Sequence, residues 1–455
     1  MLEKYKNIYF LGIGGIGMSS LALYFIDKQK SVGGYDKVKS SITNQLSSKG
    51  SIINYEDSKG NIPNNFLNKE ETLVVYTPAI PKSNKQFVFF QQSSFKILKR
   101  SELLGIISKN KFCIAIAGTH GKTTTSCIVA TILQHSNMHF SAFLGGISTN
   151  LASNYYYQSA PSQHLSVTEA DEFDRSFLQL KPQYAVFTST DADHLDIYGK
   201  QEELEKSYQD FASLVSDKNN VFVAYGSKHL ITGVTYSASN TNADYYAMIK
   251  SRSGKGTHFS IYNNVGEAPI EDLYLNIPGL HNLENAIGAA LMTRQAGVAL
   301  ESILAGLANF KGIKRRFEYI LTTEKVIYID DYAHHPSELR AIISSVRELY
   351  PNKKITAIFQ PHLFSRTQDF MAEFAYELSQ VDELLLVPIY PARELPIAGV
   401  TSEAVLAMVD LSNAQCVAKE EVIDTLKNRQ VEVLLTLGAG DIDRLVLPLQ
   451  EYYAD

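Results

Sequence analysis

The chain has 455 residues, which at about 150 residues per domain suggests roughly three domains. Its 45% hydrophobic and 20% charged content is that of a folded globular protein, with no run of the ~20 apolar residues that a membrane-spanning helix needs. A formal net charge of −6 excludes the basic footprint of a nucleic-acid or acidic-membrane binder, and three scattered cysteines exclude a disulfide framework.

The first predicted strand, Ile8 to Leu11, follows a start, MLEKYKNIYF, that has no long apolar leader-like core. With the cysteine usage, this makes a reducing cytoplasmic setting the expectation. The strand runs into GIGGIG, where Gly12, Gly14 and Gly17 complete G-x-G-x-x-G and Gly15 lies between them. A helix-like run from Met18 to Lys28 follows. Gly33, Gly34 and Asp36 come where a second strand would present an acid to a ribose. Taken alone, this stretch suggests a nicotinamide-dependent oxidoreductase. Further strand-like pieces, Ser31 to Tyr35, Ile52 to Tyr55 and Leu73 to Tyr76, fit alternating βα units. Polar residues around Arg100 to Glu102 and Ser108 to Lys111 mark a boundary, giving a first domain over 1–105.

A second block, 106–311, opens with an apolar strand to Ala117 and then GTHGKTTT. Gly118 and Gly121 let the backbone amides of Gly118, Thr119, His120 and Gly121 approach a polyphosphate. Lys122 can reach its outer phosphates, and the hydroxyl of Thr123 or Thr124 can face Mg²⁺. The loop is shorter than the usual G-x-x-x-x-G-K-[ST], because position 116 is isoleucine. The plain alternative is a glycine turn opening a helix. Two later strands end in acids: Glu169, Asp171 and Glu172 after one, Asp191, Asp193, His194 and Asp196 after the other. In an open parallel sheet such ends converge, so Glu169 and His194 are candidate metal ligands, against solvated acidic turns as the alternative. Asn282 and Asn285 sit three apart at the start of a predicted helix, where they either bond a nucleotide base or cap the helix. Tyr155 to Gln163 and Ser237 to Asn242 are poorly patterned and read as loops.

The third block, 312–455, begins beside Lys314-Arg315-Arg316, either a cation reaching a cleft or a solvated cluster. Its strands again end in polar turns. DDYAHHPSE supplies Asp330, Asp331, His334 and His335; FQPHLFSRT supplies His362 and Arg366; PAREL adds Arg393. The pattern is parallel α/β, and several polar residues at successive strand ends suggest a site.

In this order GIGGIGM, GTHGKTTT, EADEFDRSFL, DADHLDIYG, HNLENA, KRRF, DDYAHHPSE, FQPHLFSRT and GAGD resemble the ATP-dependent Mur ligases of peptidoglycan synthesis over the whole chain. The resemblance implies a three-domain α/β fold: Rossmann-like for a UDP-sugar, a P-loop ATPase-like centre, and a C-terminal Rossmann-like domain for an amino acid. It also implies that GIGGIG receives a UDP-sugar diphosphate instead of NAD, with Asp36 toward the uridine. Lys122 falls to the β- and γ-phosphates, and Thr123, Glu169 and His194 to Mg²⁺. Asn282 and Asn285 fall to the adenine nucleotide, Arg316 and Asp331 to the ATP side, and His335, His362 and Arg366 toward the muramoyl carboxylate and amino acid.

The implied reaction joins L-alanine to the lactyl carboxylate of UDP-N-acetylmuramate through an acyl phosphate. The alternative within the family attaches a tripeptide for recycling; an oxidoreductase or a non-catalytic nucleotide-binding regulator ranks below both. Two features depart from the family pattern. The stretch SYQDF, Ser207 to Phe211, lacks the lysine that several sister ligases carbamylate, and Leu363 stands where many relatives carry a basic residue.

Overall fold

The computed structural model describes residues 2–109, 111–158, 164–191, 198, 200–392, 394–427 and 429–454. His194, with Asp193, Asp196 and Arg393, lies outside them. The chain forms two compact units, Met1–Lys311 and Gly312–Asp455.

The first unit holds two sheets. One has the order β3-β2-β1-β4-β5, built from β1 (Asn7–Leu11), β2 (Ser31–Tyr35), β3 (Ile52–Asn54), β4 (Thr72–Tyr76) and β5 (Lys96–Lys99). Every pairing in it is parallel. Each residue of β1 is buried, as an apolar run covered on both faces requires. The strand order reverses at β1, so the loop Gly12–Gly15 opens at the switch point, the place where open α/β sheets take ligands.

The second sheet is ten strands wide, in the order β15-β14-β13-β12-β11-β10-β6-β9-β7-β8. Its centre is β6 (Phe112–Ala117), flanked by β9 (Leu165–Glu169) and β10 (Pro182–Phe187), both parallel to it. Outside these lie β7 (Phe140–Ser148), β8 (Ser153–Tyr157), β11 (Val221–Ala224) and β12 (Val234–Ser237). The far edge is an antiparallel set, β13 (Tyr245–Ser253), β14 (Gly256–Asn263) and β15 (Ile270–Leu275), which the sequence pattern did not announce.

Tyr155 to Gln163, expected as loop, begins as strand β8, antiparallel to β7. Tertiary packing decides this. The ring of Tyr155 lies 6.4 Å from Tyr24 on the helix Ile16–Asp27, and Asn154 Nδ2 donates to the Ile16 carbonyl at 2.6 Å. One apolar core runs from Ile8, Phe10 and Leu21 through Cys113 and Ala115 to Phe187 and Tyr208, joining the two sheets.

The second unit has the order β16-β17-β21-β18-β19-β20, from β16 (Glu318–Thr322), β17 (Ile327–Asp331), β18 (Ile355–Phe359), β19 (Glu383–Leu386), β20 (Ala414–Cys416) and β21 (Val433–Leu437). The expected parallel pattern holds except at β16, which pairs antiparallel with β17. No helix among the described residues is long and apolar enough to cross a membrane.

Candidate active site

At the end of β6 the chain turns through Gly118 (φ +130°) and Gly121 (φ +83°), conformations an L side chain rarely adopts, and then enters the helix Lys122–Gln134. Asn285 Oδ1 stands 2.5 Å from where a Cβ on Gly121 would be, so the helix Leu280–Gln295 presses an amide against this turn. Asn282 turns inward: its Nδ2 donates to the Pro278 carbonyl at 2.6 Å and fixes the entry to that helix. Of the asparagine pair, Asn285 meets the loop and Asn282 holds the scaffold.

Lys122 folds back over the loop. Its Nζ donates to the carbonyls of Gly118 at 2.5 Å and Thr119 at 3.1 Å, and to Glu172 Oε1 at 2.8 Å. Burial pulls the ammonium pKa down, but the nearby Glu172 and Glu169 carboxylates outweigh it and hold it above its ordinary value. Lys122 is therefore a fixed positive charge at neutral pH. Glu172, with only 1% of its side chain exposed, was seen in the sequence only as one of three acids.

The rest of the loop is pinned from β10. Thr119 Oγ1 donates to the Asp191 carbonyl at 2.6 Å, the His120 amide to Ser189 Oγ at 2.8 Å, and Thr188 Oγ1 to the Ala117 carbonyl at 3.1 Å. The His120 residue is exposed, and Thr124 is buried.

Thr123 Oγ1 donates to Glu169 at 3.0 and 3.2 Å to its two oxygens. Register places Glu169 opposite Ile116, one strand over, and its carboxylate rests on Gly145 of β7, where a Cβ would not fit. Gly145 escaped the sequence reading, since a lone glycine inside a strand has no local signature of contact. A hydroxyl and a carboxylate held together suit a hard cation such as Mg²⁺. Among the described residues no three His, Cys, Asp or Glu converge as a metal cluster.

In the first sheet, Gly12 has φ +87° and the Gly15 carbonyl accepts the Met18 and Ser19 amides as the helix Ile16–Asp27 begins. A Cβ on Gly14 would stand 2.8 Å from the Thr43 methyl and 2.9 Å from Asp36 Oδ2, and one on Gly17 2.9 Å from Arg100 Nη1. Asp36 accepts the Gly14 amide at 2.7 Å and the Val38 amide at 3.1 Å. Its carboxylate thus sits on the glycine loop itself.

In the second unit Arg315, not a free cleft cation, turns inward at φ +61°. Its Nε donates to buried Asp330 at 3.1 Å and its Nη2 to the Gly438 carbonyl at 2.5 Å. Arg316 stays exposed, and its charge acts on Asp331. Asp331 accepts the Phe317 amide at 2.6 Å and the Ala333 amide at 2.8 Å, while burial pushes its pKa up to about 6. His335 caps the helix Pro336–Leu349 and lies edge-on to Phe370, with ring centroids 4.7 Å apart. His362 stacks on Tyr390 at 5.7 Å and meets His334 edge-on at 5.9 Å. Burial raises the Tyr332 phenol pKa and lowers that of the His334 imidazole; the Arg366 charge opposes the first shift and adds to the second.

Comparison with known proteins follows this geometry. The profile for the Mur ligase family, catalytic domain, matches residues 7–112; that for the Mur ligase middle domain, 116–293; and that for the Mur ligase, glutamate ligase domain, 315–440. The UDP-N-acetylmuramate–L-alanine ligase of Flavobacterium psychrophilum is 47% identical over 99% of this chain and 98% of its own. That of Porphyromonas gingivalis is 44% identical over 98% and 99%. The crystal structure of the UDP-N-acetylmuramate–alanine ligase from Thermotoga maritima superposes with a TM-score of 0.83 at 28% identity, covering 98% of this chain and 99% of that one. A murein peptide ligase from Psychrobacter arcticus shares the fold at TM-score 0.72 and 22% identity, covering 98% of each chain. The chain belongs to the Mur ligase family.

Proposed function

We propose that this chain is an ATP-dependent ligase that joins L-alanine to the lactyl carboxylate of UDP-N-acetylmuramate, releasing ADP and phosphate. The observation that supports it most is Lys122 and Thr123 at the end of a glycine turn with Glu169 of the neighbouring strand bonded to Thr123, in a chain 47% identical end to end to a relative of that name. Both steps bring anions together, so fixed positive charge is the first requirement. The lactyl carboxylate attacks the γ-phosphate, the bond to ADP breaks, and an acyl phosphate forms. The alanine amine then attacks the acyl carbon, loses a proton, and phosphate leaves.

Lys122 neutralises the β- and γ-phosphates once ATP takes the place of the loop carbonyls it now bonds. Thr123 and Glu169 would hold Mg²⁺, which supplies charge neutralisation on the phosphates. Asn285 serves the adenine nucleotide, with Asn282 fixing the start of the helix that carries it; Gly12, Gly14, Gly15, Gly17 and Asp36 serve the UDP-sugar. Arg316 and Asp331 serve the ATP chemistry, and His362 and Arg366 the carboxylate and the amino acid, while His335 caps the helix Pro336–Leu349. The functional division is 1–105, 106–311 and 312–455, in a cytoplasmic setting. Phosphate release with ATP and UDP-N-acetylmuramate tests the proposal: steady turnover is expected only when L-alanine is added. Turnover indifferent to alanine contradicts it.

A further inference from the structure

The glycine loop of the first sheet has an acid on one side and a base on the other. The Gly14 amide is already donated to Asp36, so an acid stands where a diphosphate would approach. Against it lies Arg100, the first residue of the helix Arg100–Ser108. Its Nη1, Cδ and Cζ come 2.9, 3.2 and 3.4 Å from where a Cβ on Gly17 would be, so the guanidinium lies along the first turn of Ile16–Asp27. Its Nη2 donates to Asp171 Oδ2 at 2.8 Å, in a pair whose side chains are 19% and 37% exposed.

Asp171 belongs to the turn that carries the ATP-side acids. Its Oδ1 accepts the Phe173 amide at 3.1 Å, and the next residue but one upstream, Glu169, bonds Thr123. Glu172, directly after it, holds Lys122. One arginine therefore touches the glycine loop on one side and this acidic turn on the other.

We propose that Arg100 is a substrate-binding residue that exchanges partners, leaving Asp171 to pair with the diphosphate of the sugar nucleotide. The inference rests on the UDP-sugar reading above. A guanidinium offers a planar fork of N–H donors that matches two phosphate oxygens at once. A diphosphate brings two charges where Asp171 brings one, and a partly exposed ion pair costs little to break. Asp171 is then a competitor of the ligand for Arg100. Removing the arginine and removing the acid's charge must act in opposite directions on binding.

Titration calorimetry on the full chain tests this with UDP-N-acetylmuramate and, separately, a non-hydrolysable ATP analogue. Arg100→Ala is expected to weaken the sugar nucleotide by about ten- to a hundredfold while leaving the ATP analogue unchanged. Arg100→Lys recovers part of the loss, keeping the charge without the fork. Asp171→Asn is expected to bind the sugar nucleotide more tightly than the parent. Should Arg100→Ala fail to fold, the opposite signs of Arg100→Lys and Asp171→Asn still decide. If both substitutions weaken the sugar nucleotide together, the pair is a structural strut and the proposal falls. Parent binding that Arg100→Ala leaves intact overturns this inference alone; a parent that does not bind UDP-N-acetylmuramate overturns the functional reading and this one with it.

Discussion

Lys122 divides its three N–H donors between two loop carbonyls and Glu172, and the proposed function has ATP phosphates draw it away from the carbonyls. Lys122→Ala removes a preorganised charge where phosphoryl transfer takes place, and losses in such sites run on the order of 10²–10³ in rate. Turnover should fall by that order while calorimetric binding of UDP-N-acetylmuramate, which the proposed function assigns to the other sheet's loop, stays close to that of the parent. Asp331 adds a pH dependence with a definite sign. Its folded pKa, about 6, lies above the ordinary 3.8, so the native chain holds this proton more tightly than the unfolded chain. Its stabilising contribution is full below about pH 4 and is lost as pH rises through about 6. The difference in melting temperature between the parent and Asp331→Asn should shift against the parent across that window; a flat difference contradicts the burial argument. For Arg366, Arg366→Ala should raise the KM for L-alanine by about tenfold or more and leave that for ATP nearly unchanged, as a lost charge-assisted carboxylate contact requires.

The helix Pro336–Leu349 shows how an element can claim a residue that the sequence offers to the site. His335 Nδ1 accepts the Ser337 amide at 3.4 Å, and Glu338 Oε2 accepts the His335 amide at 3.2 Å, a capping box with proline in the first turn. His335→Ala should lower the melting temperature by an amount matching about 1 kcal/mol, and His335→Ser, which can cap, should restore it. What the sequence made legible were elements with strong local chemistry: the strand into GIGGIG, the strand into GTHGKTTT, and the polar ends of β17 and β18. Arg315 was not legible, because a backbone at φ +61° turns its side chain onto Asp330 and leaves Arg316 outside. The same holds for β8, which the helix Ile16–Asp27 stabilises from another sheet, and for Gly145, whose reason for being glycine is a carboxylate two dozen residues away. Long-range packing decides each of these, and periodicity carries no trace of it.

Across the whole molecule, the proposed function assigns the two glycine loops to two different phosphates, and this assignment separates a ligase from an oxidoreductase. The first loop has the backbone form that also holds dinucleotides, but its acid, Asp36, bonds the loop amide at Gly14 instead of standing clear for a ribose. NAD should therefore show no binding in calorimetry where UDP-N-acetylmuramate binds. What the chain joins to the lactyl carboxylate decides its function. The direct measurement is mass spectrometry of the product from ATP, UDP-N-acetylmuramate and an equimolar mixture of L-alanine, glycine, L-leucine and the L-Ala-γ-D-Glu-meso-diaminopimelate tripeptide. The predicted result is a product dominated by the L-alanine adduct, with glycine second because it gives up only one methyl contact, roughly 1 kcal/mol. A product dominated by the tripeptide adduct would contradict the account and assign this chain to recycling.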